Sequence, residues 1–191
     1  MNAQKTIVIA GLLALQGCAA GSIAGAAMEI VGIRNPPELP DAQKPPRTVA
    51  IRLHASQNLN AGNGSQPLAL AARIYKLRQT ATFQQMTFDG FLSAHGEREL
   101  LGNDLLEVKE VMLIPGQRYE VVEKVGREAY FIGVVALFRS PAEQRWRLAF
   151  AAGDAEKSGI TIGLHACAMS VGAGSPAYGD AGKPLATVHC Q

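Results

Sequence analysis

Along the middle of the chain, apolar residues recur with the two-residue period of strands more often than with the period of helices. From Thr48 to Ala55, Val49, Ile51 and Leu53 alternate with Arg52 and His54, which predicts a half-buried strand with its polar residues in water. Residues 56–67 form a polar loop rich in turn formers, with Leu59 as a lone apolar residue at its tip. A second strand is predicted over Leu68 to Leu77. From Thr82 to about Ala94, Phe83, Met86, Phe88, Phe91 and Leu92 fall at helical spacing, with Thr82 and Gln85 as a weak capping box and Phe88-Asp89-Gly90 as a potential break. Strands follow at Leu105–Ile114 and Arg118–Val125, turned by Pro115-Gly116. Tyr130–Arg139 is apolar except at its ends, as in a central strand buried on both faces. Trp146, Leu148 and Phe150 alternate with Arg145, Arg147 and Ala149. Ile160–Met169 is the last predicted strand, with Ile162, Leu164 and Ala166 on one face. About seven short strands with one helical insertion imply a mainly β protein built as a β-sandwich.

The first residues follow a different logic. Lys5 precedes a ten-residue apolar run, Thr6–Leu15. That is too short to cross a hydrocarbon core of roughly 30 Å, so 1–17 reads as a secretory leader. It ends in Leu15-Gln16-Gly17-Cys18, which resembles the lipobox of bacterial lipoproteins: an aliphatic residue, then a small residue immediately before a cysteine. Gln16 departs from the usual small residue at its position. The resemblance implies that the Cys18 thiol carries a diacylglycerol and that the chain is lipid-anchored, with Ala19 making the periplasmic face of the outer membrane the default location. An ordinary signal peptide with an incidental cysteine is the alternative. Residues 18–46 contain Asn35-Pro36-Pro37, Pro40 and Pro45-Pro46 and read as a tether, able to reach roughly 90 Å when fully extended. The folded domain is expected over 47–170, followed by a loose glycine-rich tail, 171–191.

Charge and chemistry add exclusions. The net charge is +2 and no basic block occurs, which leaves no footprint for nucleic acid. With Cys18 assigned to lipid, Cys167 and Cys190 remain as an even pair in an oxidising compartment. A disulfide between them would close a 23-residue loop and contribute about 3–4 kcal/mol; two unpaired thiols are the alternative. His165 near Cys167, and His189 beside Cys190, lack metal-ligand spacing. No nucleophile elbow, zinc helix or phosphate loop is present. Glu97/Glu99 and Glu107/Glu110 lie beside basic residues and read as solvated charge. The sequence therefore predicts no catalytic residue, no metal, no small-molecule substrate and no cofactor beyond the covalent lipid on Cys18.

Four blocks of residues carry a wider resemblance. They are Asn58-Leu59-Asn60 with Pro67 and Ala72-Arg73-Ile74-Tyr75-Lys76-Leu77; Phe83, Phe88 and Phe91-Leu92; Leu101-Gly102-Asn103-Asp104-Leu105-Leu106 with Glu110 and Leu113-Ile114-Pro115-Gly116; and Gly133 to Arg139, closed by Trp146-Arg147. In this order, and with the lipobox, the chain resembles the type VI secretion lipoproteins of the TssJ/VasD/SciN type. The resemblance implies a transthyretin-like two-sheet sandwich with a short helical insertion. It implies a part in a membrane complex, where the lipoprotein binds the periplasmic domain of an IcmF-like (TssM-type) inner-membrane protein and ties it to outer-membrane lipid. It places that contact in the loop at 56–67, on Asn58, Leu59, Asn60 and Ala61. Ala61 stands where family members often carry proline, which implies a looser loop. Arg139 and Arg147 read as outer-face charges or partners of Glu110. A different β-sandwich lipoprotein binding a small molecule or envelope polymer would instead need an exposed patch around Trp146 and Tyr119. A periplasmic hydrolase would need converging polar groups in a pocket.

Overall fold

The computed structural model describes residues 39–40, 43–64, 66–179 and 188–190. The leader, Cys18 and most of the tether lie outside them. Among the described residues nine strands form two sheets. The first has the order β4 (Arg118–Val125), β1 (Arg47–Ala55), β7 (Ile160–Leu164), β8 (Met169–Ala173); the second has β3 (Leu105–Leu113), β2 (Leu70–Leu77), β5 (Phe131–Ala136), β6 (Arg147–Ala151), β9 (Pro176–Tyr178). The pairing of β1 with β7 is parallel and the other pairings are antiparallel. This two-sheet, mainly β architecture is the one expected from the alternation.

Register explains the core. Val49, Ile51, Leu53 and Ala55 turn inward, and Ile51, Leu53 and Ala55 lie opposite Ile160, Ile162 and Leu164, so one apolar surface crosses β1 and β7. In the second sheet Ile74, Val134 and Leu148 align on the facing surface. Toward one edge of this interior the residues turn polar: Glu123 of β4 accepts from Lys109 of β3 (2.8 Å) and pairs with Lys76 of β2 (3.3 Å). Burial opposes the Glu123 charge, but these two ammonium groups outweigh it and lower the carboxyl pKa.

The second sheet is also covered on its other face. The expected helix at 82–94 is three short pieces, α1 (Ala81–Gln85), α2 (Phe88–Leu92) and α3 (Ala94–Leu101). The chain extends at Met86 and at Ser93, so the break falls before Phe88 as well as after Leu92. The Thr82–Gln85 capping box does not form; Thr80 is the N-cap residue. Five-residue helices have no stability of their own. Two arginines of the sheet hold them by their carbonyl ends, which a helix otherwise leaves unsatisfied. Arg147 donates to the carbonyls of Phe83 (2.8 Å), Gln84 and Met86, with its guanidinium 4.6 Å from the Trp146 ring. Arg73 donates to Phe91 O at 2.7 Å. Phe83 lies directly on β5, where a Cβ at Gly133 would meet its ring at 2.8 Å. Tyr75, Phe83 and Phe91 meet edge-on at 5.4–5.9 Å.

Several expectations are corrected here. Arg147, read as an outer-face charge or a partner of Glu110, is buried under the insertion; Glu110 pairs with Arg73 instead. Arg145 is buried too. The predicted strand Ile160–Met169 is a hairpin, because His165 N–H donates to Ala168 O and turns the chain after Leu164. The sandwich also continues past residue 170. After β8 the chain crosses to the second sheet through Gly174, at φ +89°, and β9 pairs with β6. A Cβ on Gly174 would lie 2.9 Å from Gly159 O, so glycine lets two backbones approach there. Among the described residues no helix is long and apolar enough to cross a membrane.

Candidate functional site

The loop after β1 is wound into successive turns by its own backbone: Leu59 N–H donates to Ser56 O, Ala61 N–H to Asn58 O, and Gly64 N–H to Ala61 O. A second ladder fastens it to the β7–β8 turn. Asn60 N–H and Gly62 N–H donate to the carbonyls of His165 and Ala166, both at 2.9 Å. This ladder decides the fate of the four predicted contact residues. Leu59 is fully buried and joins the main core; Asn60 and Ala61 are 6% and 3% exposed. The picture of Leu59 as an exposed apolar anchor at a loop tip is therefore corrected. Asn60 has the left-handed φ of +53°, which asparagine tolerates. Its amide donates to Ala69 O (2.9 Å) and accepts from Arg139 N–H (2.8 Å), so it clamps its own chain. Ala61 packs inward rather than loosening the loop. Asn58 remains exposed, with Oδ1 accepting from the Ser56 hydroxyl at 2.5 Å.

Two neighbouring segments complete this end of the sandwich. The β3–β4 turn leans on the loop, with Gly116 N–H donating to Ser56 O and Gln117 O accepting from Ala55 N–H. Ile114 in that turn is 59% exposed, and Leu68, two residues before β2, is 40% exposed. These are the apolar side chains this end offers, in place of Leu59. On the other side, Cys167 and Cys190 are joined in a disulfide, and Asn63 Nδ2 donates to Cys190 O at 3.3 Å. Ala142, Cys167 and Ala168 form a small second core with Val188 and Cys190 against it.

A second polar constellation lies under the insertion. Glu97 of α3, read from sequence as solvated, is 2% exposed; it accepts from Arg73 Nη1 (2.7 Å) and from the Tyr75 hydroxyl (2.6 Å). Arg73 Nε also donates to Glu110 at 2.7 Å. Burial and then the bond to Glu97 push the Tyr75 phenol up; burial opposes the Arg73 charge, but the bonds to Glu110 and Glu97 raise its pKa. Every member has a partner, so the cluster locks the insertion onto the sheet. The sequence signal available was Arg73 and Tyr75 alternating on one strand face; nothing local pointed to Glu97. His54, expected in water, has Nε2 buried.

The chemistry that rival readings need is dispersed. Trp146 is buried against Phe88 (5.1 Å) and Phe91 (5.6 Å), while Tyr119 sits half-buried on β4, so they form no shared patch. His165 Nε2 bonds the Ser170 hydroxyl at 2.8 Å; burial, and then the charge of Arg145, lower its pKa. Among the described residues no three His, Cys, Asp or Glu side chains are grouped to hold a metal.

Comparison with known proteins gives one family match: the model of the type VI secretion lipoproteins (VasD, EvfM, TssJ) fits residues 47–167. A comparison with curated proteins finds no match. Among solved structures, the chain is similar to the type VI lipoprotein TssJ1 from Pseudomonas aeruginosa, with 27% identity and a TM-score of 0.60 over 69% of this chain and 98% of that one. It resembles a chain of a type VI membrane complex at 23% identity and TM-score 0.60, covering 65% and 97%. It also resembles a chain of a structure described as the TssM C-terminal domain from EAEC, at 22% identity and TM-score 0.54, again over 65% and 97%. The last two likenesses bear on fold alone.

Proposed function

Because this chain belongs to the type VI secretion lipoprotein family, a structural and not an enzymatic one, we propose that it is an outer-membrane lipoprotein of the secretion machine's membrane complex. In this reading Cys18 carries the lipid, and the sandwich binds the periplasmic region of an IcmF-like, TssM-type inner-membrane protein and holds it to the outer membrane. The observation that carries it is the extent of the family match, which runs from the first residue of β1 to the disulfide-bonded Cys167.

In this reading the contact lies at the loop end, which the exposure of Asn58, Ile114 and Leu68 supports. Exposed aliphatic side chains can bury on a partner while an amide bonds its backbone. A small interface suffices when a lipid confines one component to the membrane, since confinement raises effective concentration. Each acyl chain adds about 0.8 kcal/mol per buried CH₂, so several chains make the anchor essentially permanent.

The test is calorimetric binding of the full chain, in detergent, to the periplasmic region of the cognate IcmF-like protein. Wild type should bind, and Asn58→Ala combined with Ile114→Asp should weaken binding with the circular dichroism unchanged. No binding by folded wild type refutes the partner assignment.

A further inference from the structure

Residues 188–190 are held against the loop end at two points, the Cys167–Cys190 disulfide and the Asn63–Cys190 hydrogen bond. Between them and the β7–β8 turn lies a cleft of about 180 Å³ walled by Asn58, His165, Ala166, Ala168, Val188 and the disulfide. The family match ends at Cys167, and the wall formed by Val188–Cys190 lies beyond the matched segment.

Three properties define what fits. The first is size. A cavity of about 150 Å³ accepts a benzene-sized group, whereas ligand pockets run to about 300–1,000 Å³; this cleft takes one side chain. The second is charge. Among the described residues no Asp, Glu, Lys or Arg lines it, and His165 Nε2 is bonded to the Ser170 hydroxyl. An ionic group entering would lose water, and no described side chain of the wall carries a counter-charge. The third is rigidity. The floor is the tight turn closed by His165 N–H to Ala168 O, whose other carbonyls accept from Asn60, Gly62 and Ala142 N–H. At the rim, the Ser56 hydroxyl occupies Asn58 Oδ1, leaving the amide N–H groups to donate outward.

We propose that this cleft receives one uncharged aliphatic side chain from the partner's periplasmic region, with the disulfide-stapled C-terminal residues as one wall and Asn58 bonding the partner's backbone beside it. The proposal rests on the TssM-type partner reading above. It makes the disulfide part of the binding surface, in addition to its part in stability. The occupant follows from the size and neutrality of the described walls and from the cleft's continuity with Asn58, the exposed one of the four predicted contact residues.

The test uses the full chain in detergent, titrated with the periplasmic region of the cognate IcmF-like protein. Ala166→Met fills the cleft and leaves the staple, with the disulfide verified by mass. Cys190→Ser removes the wall while leaving untouched the described strands of both sheets, the last of which is Pro176–Tyr178. Each should weaken binding by about tenfold or more, the range expected when one apolar group loses its pocket, while Leu100→Ala, an exposed position on α3 outside the cleft, stays within about twofold of wild type. Wild-type binding that Ala166→Met and Cys190→Ser both retain overturns the cleft and leaves the partner intact. Absence of wild-type binding overturns the partner reading and the cleft with it.

Discussion

Replacing Glu97 by glutamine keeps the side chain's shape and removes its charge. In the folded chain one carboxylate oxygen accepts from both Arg73 and Tyr75, with Glu97 2% and Arg73 10% exposed. Removing one partner of a buried pair usually costs about 3–5 kcal/mol, because the other charge is left uncompensated. Here Arg73 keeps Glu110, a carboxylate 50% exposed and 2.7 Å away, so the loss should fall lower, about 2–3 kcal/mol. For a domain of this size that is a fall in Tm of about 4–12 °C. The assay is urea and thermal unfolding of Glu97→Gln beside wild type. Hydrogen exchange should show early opening of residues 81–101, since α3 carries Glu97 and α2 ends on the carbonyl that Arg73 holds. A double-mutant cycle with Arg73→Met should give a coupling of about 1 kcal/mol or more. A loss within about 0.5 kcal/mol, the size of an ordinary surface change, would refute the claim that this carboxylate locks the insertion.

Leu59→Ala should lower stability by about 2–5 kcal/mol in chemical denaturation, as for a core leucine; a silent change would return Leu59 to the surface. Gly133→Ala should cost about 1–3 kcal/mol by driving a methyl into the Phe83 ring, measurable as a shift in Tm. Stability should follow pH at both extremes. The Glu123 carboxyl is lowered in the fold, so its contribution is present above the ordinary value of 4.5 and drains away as pH falls below it. The Tyr75 phenol is raised, so its contribution is complete below pH 10.0 and is lost as pH rises beyond; Glu123→Gln and Tyr75→Phe should flatten the acid and alkaline limbs of a Tm–pH profile respectively. Labelled palmitate should enter wild type and not Cys18→Ser, and fractionation should move that variant out of the outer membrane.

Local chemistry was legible without a structure. Strand alternation depends only on neighbours along the chain, so β1 and β4 stand where the pattern put them, and β5 is covered on both faces as its apolar run required. The disulfide between Cys167 and Cys190, one of two readings their number left open, is formed. The insertion was legible as an aromatic stripe but not as three helices, because its pieces are held by Arg147, 61–64 residues on, and by Arg73, 18 residues before Phe91. Polar residues misled for the same reason. Glu97 and Arg147 look solvated in any local window, and only the packing of the insertion on the second sheet supplies the partners that let them be buried.

What the sequence determined by itself was the mainly β class and the family blocks, since each is written in adjacent residues or short periods. What tertiary structure alone decided was which of those residues a partner could touch. Asn58, Leu59, Asn60 and Ala61 are consecutive and share one polar loop, yet only Asn58 faces outward. The cause is the β7–β8 turn, more than a hundred residues on, whose carbonyls draw the loop down until Leu59 completes the core. Burial is a property of the pair of segments that meet, and no pattern within either one contains it.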